Sequence, residues 1–222
     1  MVHSRPFNVL FILFLLLSAS TMASCQAGRS DFPVIKKDSG TNEKSIKVLI
    51  AYRSKYGSTK QYAEWIQQDT KGDLVNVENG DEPDLARYDI LIIGGYVRTG
   101  KIVIAPFIKD HWSVMNGKEV ILFTTSGTPP RHPKMQGIYE KSLPEEIRKE
   151  ITYFPLPGRI SGKDLTLWDK ILIAIGRIVE QDETLKKDMG KDFDGVNRDN
   201  LLPLFEYLKD AKLTKNRESQ RQ

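Results

Sequence analysis

Three short, almost unbroken apolar runs constrain the fold of this chain more than anything else in it. They lie at residues 46–52, 88–93 and 119–125, each about the length of one strand. Their apolar residues do not alternate with polar ones, so such strands have no face to offer to water and must be covered on both sides. Helix-period segments separate them. Thr59, Tyr62, Ala63 and Ile66 share one helical face behind a start near Ser58, where Ser58 and Gln61 have the spacing of a capping box. A second helix is expected over residues 105–116, with Pro106 in its first turn and Gly117 beyond its end. Weaker signals place a strand at 74–77, a helix at 143–150 and a strand at 151–154, then helices at 165–179 and 199–208. Strands alternating with helices predict an α/β domain, a five-stranded parallel sheet with helices on both faces in three layers.

In such a fold, ligands sit beyond the carboxyl ends of the strands, near the point where strand order reverses. The loops after the strands are therefore the candidate site. After the first strand come Arg53, Ser54, Lys55, Tyr56, Gly57, Ser58 and Thr59. This composition suits a phosphate: Gly57 frees the backbone to turn, the hydroxyls of Ser54, Ser58 and Thr59 can donate, and a helix N-terminus favours negative charge. A capped helix behind an ordinary polar turn reads equally well from this loop alone. After the third strand come Gly94, Gly95, Tyr96, Val97, Arg98, Thr99 and Gly100, and after the fourth Thr124, Thr125, Ser126, Gly127, Thr128, Pro129 and Pro130. His132 is a candidate proton donor, although a lone loop histidine is more often simply exposed. No residue is assigned as catalytic, and no metal site is expected.

The spacing Ser54-x-x-Gly57-x-Thr59 directly after the first strand resembles the FMN-phosphate loop of the flavodoxin family. Rival phosphate-binding patterns do not fit. The Gly-x4-Gly-Lys-Ser/Thr loop and the Gly-x-Gly-x-x-Gly turn are missing here, and a receiver domain would carry an aspartate where Gly94, Gly95 and Tyr96 stand. The resemblance implies non-covalent FMN, with residues 54–59 around its phosphate, residues 94–98 against the isoalloxazine ring and residues 124–127 along the ring's carbonyl edge. It also implies that Tyr96 packs on the ring and that Arg98 opposes the negative charge of the reduced ring. No aromatic follows residue 127 immediately, so the outer ring face is expected to be open.

Within that family, Gly94-Gly95-Tyr96-Val97-Arg98-Thr99-Gly100, with Gly158-Arg159 and Trp168-Asp169-Lys170-Ile171 further on, is similar to the flavodoxin-type protoporphyrinogen IX dehydrogenases. That likeness implies a dehydrogenase passing electrons through FMN to a quinone or another lipophilic small molecule. The alternative is an electron carrier that exchanges electrons with a redox protein and has no substrate chemistry. Many such carriers are acidic, whereas this chain carries a formal net charge of +4. No nucleic-acid partner is expected.

The segment 165–179 is apolar over more than one stripe, from Leu165 and Trp168 to Ile178 and Val179. It reads either as a helix packed on the sheet or as one whose outer side meets lipid or a hydrophobic substrate.

The N-terminus is a separate matter. Residues 7–19 are nearly all apolar and follow a single positive charge, Arg5. Small residues then lead into Met22-Ala23-Ser24-Cys25, which resembles a bacterial lipobox, so residues 1–24 are expected to be a lipoprotein signal peptide and Cys25 the lipidated residue. The domain would then be attached to a bacterial membrane outside the cytoplasm. An uncleaved anchor is the alternative, and the positive charges that follow the segment, Arg29, Lys36 and Lys37, would keep the domain on the cytoplasmic side. Residues 25–45 read as a polar tether, 46–210 as the domain and 211–222 as a polar tail. Cys25 is the sole cysteine, which leaves the domain without disulfide or thiol chemistry.

Overall fold

A computed structural model describes residues 46–219 of the chain. The signal or anchor segment, the tether and Cys25 lie outside the described residues. Strands β1 (Val48–Tyr52), β2 (Asp73–Asn76), β3 (Ile90–Arg98), β5 (Glu119–Ser126) and β6 (Ile151–Pro157) form one parallel sheet in the order β2-β1-β3-β5-β6. A short antiparallel strand, β4 (Lys101–Ile102), folds back on the end of β3.

Successive side chains of a strand point to opposite faces, and the core divides accordingly. Leu49, Ala51, Leu91, Ile93, Val120 and Leu122 face one layer, made by α2 (Ala105–Asp110), α3 (Trp112–Met115), α4 (Pro133–Ser142) and α5 (Glu145–Arg148). Ile50, Ile90, Ile92, Ile121 and Phe123 face the other layer, made by α1 (Ser58–Thr70) and α8 (Leu202–Ser219). Both faces of the central strands are therefore dry. Each fully buried Ile or Leu contributes about 1.5–3 kcal/mol of transfer free energy.

Several boundaries differ from the sequence reading. The expected helix at 105–116 is interrupted at His111, whose backbone φ of −107° leaves the helical region. The helix α4 was not anticipated; its start is capped by His132 and Pro133 rather than by a Ser, Thr or Asp signal. The expected tail from residue 211 is instead the second half of α8 up to Ser219. Beyond β6 the chain makes an excursion: β7 (Arg159–Ile160), α6 (Leu167–Val179), α7 (Glu183–Asp188) and β8 (Phe193–Asp194), with β7 and β8 paired antiparallel.

The α6 helix is not the sheet-packed helix that its composition allows. It has one buried residue, Asp169, and leaves most of its apolar side chains in solvent.

Candidate functional site

Residues 53–57 leave the carboxyl end of β1 beside β3, and the Arg53 backbone N–H donates to the Gly94 carbonyl at 3.0 Å. Gly57 then adopts φ 84°, a left-handed conformation open to glycine at little cost. It serves as the N-cap of α1. No side chain caps that helix end, and its first turn holds no acid. The expected capping box is not formed, because the Ser58 hydroxyl accepts instead from the Arg159 backbone N–H at 3.0 Å. The helix N-terminus therefore keeps the partial positive charge of its unpaired N–H groups. Close by in sequence, the Ser54 hydroxyl oxygen is buried without a hydrogen-bond partner. A buried hydroxyl without a partner is costly unless a ligand completes it.

Thr59 has a different part. Its hydroxyl donates to the Gly95 carbonyl at 3.3 Å and shares a hydrogen bond with the Thr125 hydroxyl at 2.9 Å. It joins the start of α1 to the ends of β3 and β5 and is already satisfied.

The second and third loops are shorter than the sequence reading made them. Gly94, Gly95, Tyr96, Val97 and Arg98 continue β3, and the turn comes only at Thr99 and Gly100, both with positive φ. The two glycines of β3 answer to the core. A Cβ on Gly94 would stand 2.3 Å from the Phe123 ring, and one on Gly95 would stand 2.6 Å from Ile104. Packing against these side chains is sufficient to require them, without any approach of backbone to a ligand. Likewise Thr124, Thr125 and Ser126 are buried residues of β5. Their hydroxyls are engaged inside the protein, by Tyr153, by Thr59 and by the Thr128 backbone N–H. Thr124 and Thr125 each spend one hydrogen bond inside the protein, whereas the Ser126 hydroxyl only accepts and keeps its O–H to donate. Burial and the Thr124 bond act oppositely on Tyr153; burial wins and its phenol is pushed up to about 12.

Tyr96 and Arg98 do reach the same side of the sheet as the first loop. Tyr96 is half-buried, which raises its phenol above the ordinary range, and Lys55, Arg98 and Arg53 partly offset that. Arg98 is committed to Asp169 of α6, which the sequence offered only as part of the Trp168-Asp169-Lys170-Ile171 resemblance. The Asp169 carboxylate accepts from Arg98 Nη2 at 2.7 Å, Arg98 Nε at 3.0 Å, Lys55 Nζ at 2.5 Å, Thr166 Oγ1 at 2.8 Å and the Tyr56 hydroxyl. Burial alone would raise its pKa. The donors from Lys55, Tyr56, Arg98 and Thr166 outweigh burial and hold it far below the usual carboxylate range. One charged group thus fastens the first loop, the end of β3 and α6 together. The signal was legible: a single acid in an apolar helix, three residues after a Thr that caps it.

His132 is not placed as a proton donor. Its Nδ1 accepts from the Lys134 backbone N–H at 3.2 Å and its Nε2 lies 3.0 Å from Asp182, so the tautomer protonated at Nε2 satisfies both and the ring caps α4.

The family model for the flavodoxin domain matches residues 49–186. The chain belongs to that family. The fold agrees, since β2-β1-β3-β5-β6 is the strand order of a flavodoxin, whose reversal lies between β1 and β3. Solved structures similar to this flavodoxin domain include a flavoprotein from Lactobacillus acidophilus in complex with FMN, at 20% identity and TM-score 0.38, covering 51% of this chain and 93% of that one. A flavodoxin, WrbA-like protein from Agrobacterium tumefaciens matches at 16% identity and TM-score 0.40, over 61% and 100% of the two chains. The Trp repressor binding protein from Bacillus subtilis matches at 17% identity and TM-score 0.42, over 62% and 100%. No curated protein matches the chain. FMN is the cofactor that membership of the family supports, and the first loop fits it. Gly57, the uncapped N-terminus of α1 and the unpartnered Ser54 hydroxyl are what a terminal phosphate would require.

Proposed function

We propose that this flavodoxin domain is an FMN-dependent oxidoreductase that delivers electrons to a lipophilic quinone, in the manner of the flavodoxin-type protoporphyrinogen IX dehydrogenases it resembles. FMN, when bound, supplies the redox chemistry. The chain's own residues bind and orient. The Ser54 hydroxyl and the N–H groups at the start of α1 hold the phosphate. Tyr96 flanks the ring, and the Arg98 and Lys55 charges, fixed by Asp169, set the potential around it. The observation that carries the choice of a lipophilic acceptor is α6. Its buried Asp169 joins Arg98 and Lys55, while Trp168, one residue away, is exposed.

The test uses the full chain in detergent, loaded with FMN and reduced anaerobically. Reoxidation by a lipophilic quinone is expected, slowed in Trp168→Ala while FMN stays bound. Rapid electron transfer to a protein acceptor with none to any quinone would place the protein among the carriers instead. Porphyrinogen as the electron donor is read from the resemblance and is tested as a donor in the same assay.

We further propose that Cys25 is lipidated after cleavage behind Ser24 and holds the domain at a bacterial membrane, outside the cytoplasm. Mass spectrometry of membrane-extracted protein is expected to find a chain beginning at a lipid-modified Cys25. An uncut chain with unmodified Cys25 would favour the anchor reading and the cytoplasmic side.

A further inference from the structure

The α6 helix turns its amphipathic character inside out. At about 100° of rotation per residue, Leu167, Trp168, Ile171, Ile175, Ile178 and Val179 share one side of it, and that side faces solvent. Leu167 is 74% exposed, Trp168 72%, Ile178 80% and Val179 71%. Asp169 lies on the opposite side, 6% exposed, and ties the helix to Lys55 and Arg98. The helix is thus held by its polar side and displays its apolar one. A continuous exposed apolar strip of this kind marks an interaction surface.

The charges around the strip indicate what covers it. Asp169 is the only acid of α6, and it is buried and neutralised by two cations. The remaining charges of the helix, Lys170 and Arg177, are both positive and both exposed. They open onto a cleft of about 540 Å³ along the flank of α6, which Lys187 and Lys191 also line. Apolar side chains, Ile173 and Met189 among them, line the same cleft. Of these four cations, Lys191 is paired with Asp188. An apolar face bearing a tryptophan, bordered along this cleft by basic side chains, while Glu180 and Asp182 beyond it are paired with Lys134 and His132, has the chemistry of a helix that lies in a lipid interface with its cations among anionic headgroups. Among the described residues no helix is long and apolar enough to cross a membrane, so the contact would be a surface one.

We propose that α6 is a membrane-docking helix, its Leu167–Val179 apolar face entering the interface of an anionic bilayer while Lys170, Arg177 and Lys187 meet the headgroups. This contact is separate from any tether at the N-terminus and needs no flavin. Through Asp169 it would set the Lys55 and Arg98 end of the domain beside the lipid.

The experiment follows Trp168 in the full chain mixed with phosphatidylcholine vesicles that contain phosphatidylglycerol and carry bromine on the acyl chains. Trp65 and Trp112 are common to the parent and to Trp168→Phe, so the difference between the two isolates residue 168. The parent's Trp168 emission is expected to shift to the blue and to be quenched by the bromines. Ile175 and Ile178 are exposed, so Ile175→Glu combined with Ile178→Glu is expected to keep the parent's thermal midpoint while bromine quenching of Trp168 on the same vesicles falls by about tenfold or more. Neutral vesicles are expected to quench Trp168 several-fold less. Protein that binds the vesicles with Trp168 unquenched is held by its N-terminus alone, and the proposal fails. It fails equally if Trp168 is already blue-shifted without lipid and indifferent to vesicles, since residues 7–19 or a second copy of the chain would then cover the face. Equal quenching on neutral and anionic vesicles would overturn the assignment of an anionic surface.

Discussion

The central sheet and the excursion from residue 158 to 195 are held together by opposite means. In the sheet, Ile50, Ile92, Ile121 and Phe123 are wholly buried, and the strands are fixed by apolar contact on both faces. In the excursion, Ile175 and Ile178 stand in water, and the fastening is ionic: Asp169 with Lys55 and Arg98, Glu180 with Lys134, Arg159 with Asp194. Burial without charge is indifferent to pH and close-packs the sheet on both faces. Ion pairs at partly exposed positions contribute less and respond to solution conditions. The fold therefore places a rigid scaffold next to a segment that can answer to its surroundings, and the candidate site lies where the two meet.

The same kind of truncation should have very different costs in the two regions. Phe123→Ala is expected to lose about 3–5 kcal/mol of stability, because the ring fills the space above Gly94. Ile178→Ala, at an exposed position, should change stability by less than about 0.5 kcal/mol. Denaturant unfolding of both variants checks this. Similar losses at the two positions would show that the α6 face is covered in solution.

Asp169 sharpens the comparison from the ionic side. Asp169→Ala is expected to cost about 1–3 kcal/mol at neutral pH, because it leaves Lys55 and Arg98 without their acceptor. The sign of the pH dependence follows from the lowered pKa. The unfolded carboxylate titrates near 3.9, so its contribution is whole above that and declines as pH falls below it. Parent and variant should therefore converge in stability as the solution is acidified from about pH 5, since the parent's advantage drains away over that range. A gap that is constant down to pH 2 would mean that the ion pairs are not what fastens α6.

Most of the scaffold was legible in the sequence, because a strand buried on both faces must be apolar throughout and the runs at 46–52, 88–93 and 119–125 have no other reading. The strand ends were less so. The run of β3 looked finished at Gly94, yet the strand extends to Arg98, since its two glycines make room for Phe123 and Ile104 and do not break the ladder. That information lies in a neighbour distant in sequence. The phosphate loop was read from spacing alone, but spacing could not separate Ser54, which lacks a partner, from Thr59, which has two. Asp169 was visible as an acid in an apolar helix, and its role depends on residues 114 and 71 positions away.

The smallest expected effect on stability, and the most direct test, belongs to Ser54. Its hydroxyl is buried without a partner, and its proposed role is to donate to the phosphate of FMN. Titration of flavin-free full chain with FMN, followed by quenching of flavin fluorescence, should give one site per chain. In Ser54→Ala the affinity should fall by about 1.5–3 kcal/mol, the range for a hydrogen bond to a charged group, with little change in the thermal midpoint of the flavin-free protein. Riboflavin, which lacks the phosphate, should not distinguish the two proteins. A chain that takes up no FMN, or a Ser54→Ala variant that binds it as tightly as the parent, would contradict the account.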